Sequence, residues 1–139
     1  MTHTLDIKHV AIVVEDIQKS LRFWQDILGL QVSRIEEVPH QQSVVAFLDS
    51  GAIQVELVEP TTDDSGVARF LQKRGPGLHH VCFEVDDLDQ SLEHLRSHGV
   101  RLIEDDSTRG IGGKRVAFIH PESTEGVLVE LFEAVSDNR

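Results

Sequence analysis

The spacing of apolar residues changes period several times along the chain, and the changes come in the same order twice. Over residues 7–14 Val and Ile dominate in a two-residue alternation, with Val10, Ile12 and Val14 on one face and His9, Ala11 and Val13 on the other. The period then lengthens: Ile17, Leu21, Trp24 and Leu28 fall on one helical stripe, Asp16 is placed to cap the helix, and Gly29 suits its end. Three β-like runs follow at 30–35, 43–49 and 53–59. The second half has a strand ending at Val85, Asp87 as cap, Leu88, Leu92 and Leu95 on a stripe, Gly99 as stop, and β-like runs at 101–104, 115–120 and 127–133. Each half therefore predicts βαβββ, an α+β fold. Between them lie Thr61-Thr-Asp-Asp-Ser-Gly66 and Arg74-Gly-Pro-Gly77, turn-rich segments around a short helical stretch at 67–72.

The residues repeat as well as the periods. His9-Val-Ala-Ile-Val-Val-Glu-Asp-Ile-Gln-Lys-Ser-Leu21 lies without a gap over His80-Val-Cys-Phe-Glu-Val-Asp-Asp-Leu-Asp-Gln-Ser-Leu92. At the same offset Val45-Ala-Phe-Leu48 meets Val116-Ala-Phe-Ile119, and three residues of slippage later Val55-Glu-Leu57 meets Val129-Glu-Leu131. Such self-similarity organises the whole chain. It predicts one domain over 1–139, with a first repeat over about 5–60, a linker over 61–77 and a second repeat over about 78–134. The expected architecture is a curved mixed sheet around a cleft, with helices on its outer face.

Strand parity places the polar residues. Val81, Phe83 and Val85 take the helix side of their strand, which leaves His80, Cys82 and Glu84 opposite. Ile53, Val55 and Leu57 pack while Gln54 and Glu56 look away; Val127, Val129 and Leu131 pack while Leu128, Glu130 and Phe132 look away. Each repeat so offers one His and one Glu, at matching positions, to the face away from its helix. Taken singly, a strand His is more often a core or surface residue than a ligand, and Glu56 alone reads as a solvated strand residue. Duplication by itself can leave echoes too. The recurrence of both residue types on one face favours a metal, because burying two carboxylates without a cation is costly. Imidazole and carboxylate suit Mn, Co, Ni, Fe or Zn, and four ligands leave room on a six-coordinate ion for a substrate.

Composition narrows the classes. The 139 residues carry 13 Lys and Arg against 24 Asp and Glu, a formal charge of −11, which disfavours a nucleic-acid partner. The single cysteine, Cys82, excludes an internal disulfide and a Cys-based zinc cluster. No apolar run approaches the roughly 20 residues of a membrane span, and Met-Thr-His-Thr-Leu-Asp does not read as a signal peptide. No membrane partner and a cytoplasmic location are the default expectations.

With these residues in place, the early His-Val, the Val-Glu-Leu strand, Gly77-Leu-His-His-Val81 and Gly126-Val-Leu-Val-Glu-Leu131 resemble the vicinal oxygen chelate superfamily, the glyoxalase and bleomycin-resistance-like proteins. Phe70-Leu-Gln-Lys73 and Gly112-Gly-Lys-Arg-Val-Ala-Phe-Ile-His-Pro121 make the chain most like the methylmalonyl-CoA epimerases, from about Ile7 to Phe132. The resemblance implies one divalent ion on His9, Glu56, His80 and Glu130, the second position being Gln in some epimerases. It implies interconversion of (2R)- and (2S)-methylmalonyl-CoA through an enolate, with an acyl-CoA as substrate, and a homodimer. His79 is expected to be structural. Some epimerases carry a Glu, proposed as a base, where this chain has Val45, so the proton-transfer groups stay open. Glu130 is one candidate; His120 is another, although it also reads as an ordinary strand-end residue. Lys73, Arg74, Arg109, Lys114 and Arg115 cluster in the Gly-rich loops and are candidates for CoA phosphates, or plain solvated surface. A glyoxalase-like lactoylglutathione lyase would use the same ligands. A metal-free binding module on this scaffold generally loses them.

Overall fold

The computed structural model describes residues 5–103 and 115–134. The chain divides into two compact units, one of residues 9–79 and the other of the described residues among 1–8 and 80–139.

In the first unit strand β1 (Asp6–Val13, of which residues 9–13 fall here) leads into helix α1 (Ile17–Leu21), then β2 (Gln31–Val38), β3 (Ser43–Ser50), β4 (Ile53–Pro60) and helix α2 (Gly66–Arg74). The strand order is β2-β3-β4-β1, with β1 parallel to β4 and the other pairs antiparallel. The second unit repeats the plan with β5 (Gly77–Val85, of which residues 80–85 fall here), α3 (Leu88–Ser97), β6 (Leu102–Ile103), β7 (Val116–Ile119) and β8 (Val129–Glu133). Its order is β5-β8-β7-β6, with β5 parallel to β8. The α+β class and the doubled βαβββ order are thus as expected, and α2 groups with the first repeat.

One apolar face per unit packs on its helix. Val14, Ile17, Leu21, Ala46, Leu48 and Leu57 form the first core, with Ile12, Trp24 and Val55 against it. Val85, Leu88, Ile119 and Leu131 form the second, joined by Phe83, Leu92, Leu95 and Val129. These are the faces that strand parity assigned. The opposite faces are not solvated, since Ala11, Val45 and Cys82 are also fully buried.

Helices α1 and α3 begin alike. The carboxylates of Asp16 and Asp87 accept from Lys19 N and Gln90 N, and those of Glu59 and Glu133, each near the end of its repeat's last strand, accept from Ile17 N and Leu88 N at 2.9 Å. Two carboxylates so satisfy amides of each first turn that have no partner within the helix. Asp87→Ala is expected to cost about 1 kcal/mol in urea unfolding while leaving the opposite face untouched. Beyond the α3 start, Arg115 bonds Asp89 at 2.6 Å and holds that carboxyl below its usual range. What the pair contributes is present above the ordinary carboxylate range and is lost only as pH falls through the lowered value.

Three expectations need correction. The stripe Ile17, Leu21, Trp24, Leu28 does not run on one regular helix: after Leu21 the chain widens into a π-helical turn (Arg22–Ile27), closed by Leu28 N donating to Phe23 O. The extra residue per turn carries Leu28 off the buried stripe, to 53% exposure. Gly29 and Gly99 then end the helical segments with φ of 96° and 77°, where a Cβ would be strained. The last strand also starts at Val129, not at 127. Val127 is exposed, because Thr124 Oγ1 bonds both its N–H and its carbonyl and holds it in the preceding turn. For the β-like run at 101–104, only Leu102–Ile103 is strand among the described residues.

Candidate metal-binding residues and the family they define

Each unit presents a buried imidazole–carboxylate pair on the face away from its helix. In the first unit, His9 Nδ1 lies 3.2 Å from Glu56 Oε2; in the second, His80 Nε2 lies 3.0 Å from Glu130 Oε1. The side chains are 8 to 13% exposed. Register explains the echo. Ala11 lies beside Glu56 across β1 and β4, and Cys82 beside Glu130 across β5 and β8, so each His is one same-face position before its carboxylate's neighbour. On the other side Phe47 faces Glu56 and Phe118 faces Glu130. The Phe118 ring also meets the His80 ring edge-on, with centroids 5.9 Å apart. Among these neighbours both carboxylates are 6% exposed. Ala11, Cys82, Phe47 and Phe118 were not singled out as site residues, although they recur in the sequence at the same offsets as the ligands.

The donor chemistry fits a divalent ion. Two ligands each about 2.1 Å from an ion and at right angles to one another are separated by about 3 Å, which is the spacing within each pair. One imidazole and one carboxylate per pair also suit the borderline ions named above.

The remaining candidates are placed as follows. His79 sits edge-on to Phe70 of α2, with ring centroids 4.9 Å apart. His120 Nδ1 accepts from Glu122 N at 3.0 Å and caps the short 3-10 turn Pro121–Ser123. Lys73 and Arg74 are exposed at the end of α2, with Arg74 5.5 Å from the Phe70 ring. Arg115 is engaged with Asp89 and with Glu133 at 3.5 Å. Arg109 and Lys114 lie outside the described residues. Val45 is fully buried between Glu36 of β2 and Val58 of β4.

The chain matches known proteins over most of its length. Residues 8–118 match the model of the Glyoxalase/Bleomycin resistance protein/Dioxygenase superfamily, and the chain belongs to that superfamily. Within it the chain is similar to methylmalonyl-CoA epimerases. It is 40% identical to the mitochondrial methylmalonyl-CoA epimerase of Mus musculus over 129 residues, 92% of this chain and 72% of the relative. The crystal structure of the Mycobacterium tuberculosis methylmalonyl-CoA epimerase superposes with a TM-score of 0.85 at 37% identity, covering 94% of this chain and 88% of that one. A methylmalonyl-CoA epimerase in complex with methylmalonyl-CoA and ammonium superposes with a TM-score of 0.86 at 33% identity, over 96% and 97% of the two chains.

Proposed function

We propose that this chain is a metal-dependent methylmalonyl-CoA epimerase, an isomerase in which His9, Glu56, His80 and Glu130 hold one divalent ion, with Co, Mn, Ni, Zn and Fe as the candidates. The observation that carries the reading is the buried His–Glu pair, present once in each repeat at ligand spacing. Similarity to epimerases over more than nine-tenths of the chain supports the substrate.

The reaction removes the proton on the carbon between the thioester and the carboxylate and returns it to the other face. When bound, the ion supplies Lewis-acid polarisation that favours the enolate. The protein's own share is to position the acyl group, to exclude water and to move the proton. Buried Phe47, opposite Glu56, and half-buried Phe118, opposite Glu130, give the carboxylates apolar neighbours that strengthen electrostatics. Glu130 is assigned as a ligand that also takes part in proton transfer. His120 stands as a further candidate, one that must release Glu122 N to act through Nδ1. Lys73, Arg74, Lys114 and Arg115 are assigned to the CoA phosphates. Lys73 and Arg74 are exposed, whereas Arg115 would exchange Asp89 and Glu133 for phosphate.

The protein is read as a cytoplasmic homodimer, in keeping with the family resemblance. Among the described residues no helix is long and apolar enough to cross a membrane. Phe23, Ile27 and Leu28 give an exposed apolar surface for association.

The test is loss of deuterium from the 2-position of methylmalonyl-CoA in ordinary water, run beside turnover of the methylglyoxal–glutathione adduct. Washout with interconversion of the epimers, and close to one divalent ion per chain, are expected. Turnover of the glutathione adduct alone would make the protein a lyase, and a metal-free protein indifferent to chelators would remove the enzyme reading.

A further inference from the structure

Strand β2 carries a bulge that changes which of its side chains face Glu56. Val32 pairs with Leu48 on the helix side, but the register slips at Ser33, whose hydroxyl donates to Phe47 O at 3.1 Å. Arg34 then pairs with Phe47 and Glu36 with Val45, both on the Glu56 face. Without the slip Arg34 and Glu36 would share the helix side with Val32; with it Ile35, paired with Ala46, takes that side and remains 43% exposed on the edge strand. Bulges that re-aim side chains are frequent beside active sites.

What the bulge delivers is a second polar pair on the face that carries His9 and Glu56. The Arg34 guanidinium lies 3.9 Å from the centre of the Phe47 ring, and its Nε is 3.3 Å from Glu36 Oε2. Phe47 is the direct register partner of Glu56. Among the described residues, two buried side-chain oxygens lack a hydrogen-bond partner, Glu36 Oε2 and Ser43 Oγ. Both belong to this face: Ser43 is wholly buried, opposite Val38 and diagonal to Glu36. Glu36 Oε2 has only its ion pair with Arg34, on a side chain that is 42% exposed, and Ser43 Oγ makes no hydrogen bond; both flank Val45, and a buried polar atom without a hydrogen bond costs stability unless something else uses it. Glu36 is the direct cross-strand neighbour of Val45, about 4.8 Å away by the strand spacing, a gap that a glutamate side chain reaches across.

We propose that Glu36 is one of the two proton-transfer groups of the epimerisation, oriented by Arg34; this rests on the epimerase reading given above. The Glu36 carboxylate takes the proton from the carbon between thioester and carboxylate, and the C–H electron pair becomes the enolate. A donor on the opposite face then returns a proton to that carbon. In the reverse direction protonated Glu36 is the donor, so each turnover leaves the pair of groups with protonation exchanged, to be reset from water. Arg34, stacked on Phe47, holds the Glu36 carboxylate through its Nε.

The test uses both epimers separately, in deuterated water, with the full metal-loaded protein. In Glu36→Gln, epimerisation is expected to fall by about 10²- to 10⁴-fold in both directions. Exchange at the 2-position should survive at nearly the wild-type rate for the one epimer whose C–H faces the remaining group, and be lost for the other. A merely structural role would lower exchange from both epimers equally, and that result overturns the proposal. Glu36→Asp should recover part of the lost exchange with KM little changed. Glu37→Gln, whose register partner Val44 lies on the helix side, should behave as wild type. Retained exchange from one epimer itself shows the variant folded; full epimerase activity in Glu36→Gln would also overturn the assignment. Wild-type protein unable to exchange either epimer overturns the epimerase reading, and this proposal with it, which keeps the two failures distinguishable.

Discussion

Glu130→Gln is expected to lose at least about 10³-fold in kcat/KM together with its bound metal, whereas Glu133→Gln, three residues on along the same strand, should keep both. The contrast follows from what each carboxylate touches. Glu130 lies 3.0 Å from His80 Nε2 in an apolar surround, and an amide there offers a divalent ion no charge. Glu133 accepts from Leu88 N at the start of α3 and pairs with Arg115, so its loss is felt as stability. The same logic predicts a response to metal. At a free ion concentration a hundred times its Kd, binding to the folded state alone contributes about 2.7 kcal/mol, roughly 10 °C in Tm for a chain of this size. Elemental analysis and a melting curve with and without chelator measure both. Full metal content and activity in Glu130→Gln would overturn the ligand assignment.

The Glu130 and Glu133 pair also shows what was legible in the sequence. Glu56 and Glu130 recur at one offset, and Glu59 and Glu133 recur at the same offset, so repetition alone does not separate chemistry from architecture. Parity separates them: Glu56 and Glu130 share the face of a recurring His, while Glu59 and Glu133 reach the helix starts. The βαβββ order, the two helix caps and the packed faces were readable for the same reason, since a period of two or 3.6 residues is a local property. The π-helical turn was not, because its i→i+5 bonding leaves no signature in the side-chain types from Arg22 to Ile27.

Strand β2 shows the deeper limit. The adjacent charges Glu36 and Glu37 read as the end of a β-like run, yet the strand continues to Val38. Counting parity from Val32 would also have sent Glu36 to the wrong face, because one bulged residue reverses every position beyond it. Val45 was noticed as a departure from the family pattern. The carboxylate opposite it in register became visible only with the pairing of β2 and β3.

Leu57→Ala should cost toward the upper end of the 2–5 kcal/mol range for a buried leucine, and here the neighbours decide the magnitude. Leu57 is fully buried, and its register partner across β3 and β4 is Ala46, also fully buried. Large against small is how these strands fill the space beneath α1, so truncation leaves two alanines facing each other with no side chain positioned to close the gap. Against a typical total stability of 5–15 kcal/mol, such a loss brings the variant close to unfolding at 37 °C. Trp24, the chain's single tryptophan, packs against this cluster and reports the transition by its fluorescence in urea. Restoring the volume from the other side, as Ala46→Leu with Leu57→Ala, should recover part of the loss, because cores tolerate swaps that conserve volume. Leu57 faces the helix and Glu56 the opposite side, so the folded fraction of Leu57→Ala should retain metal and activity per folded molecule. A cost below 1 kcal/mol would mean that the Ala46–Leu57 contact does not organise this core.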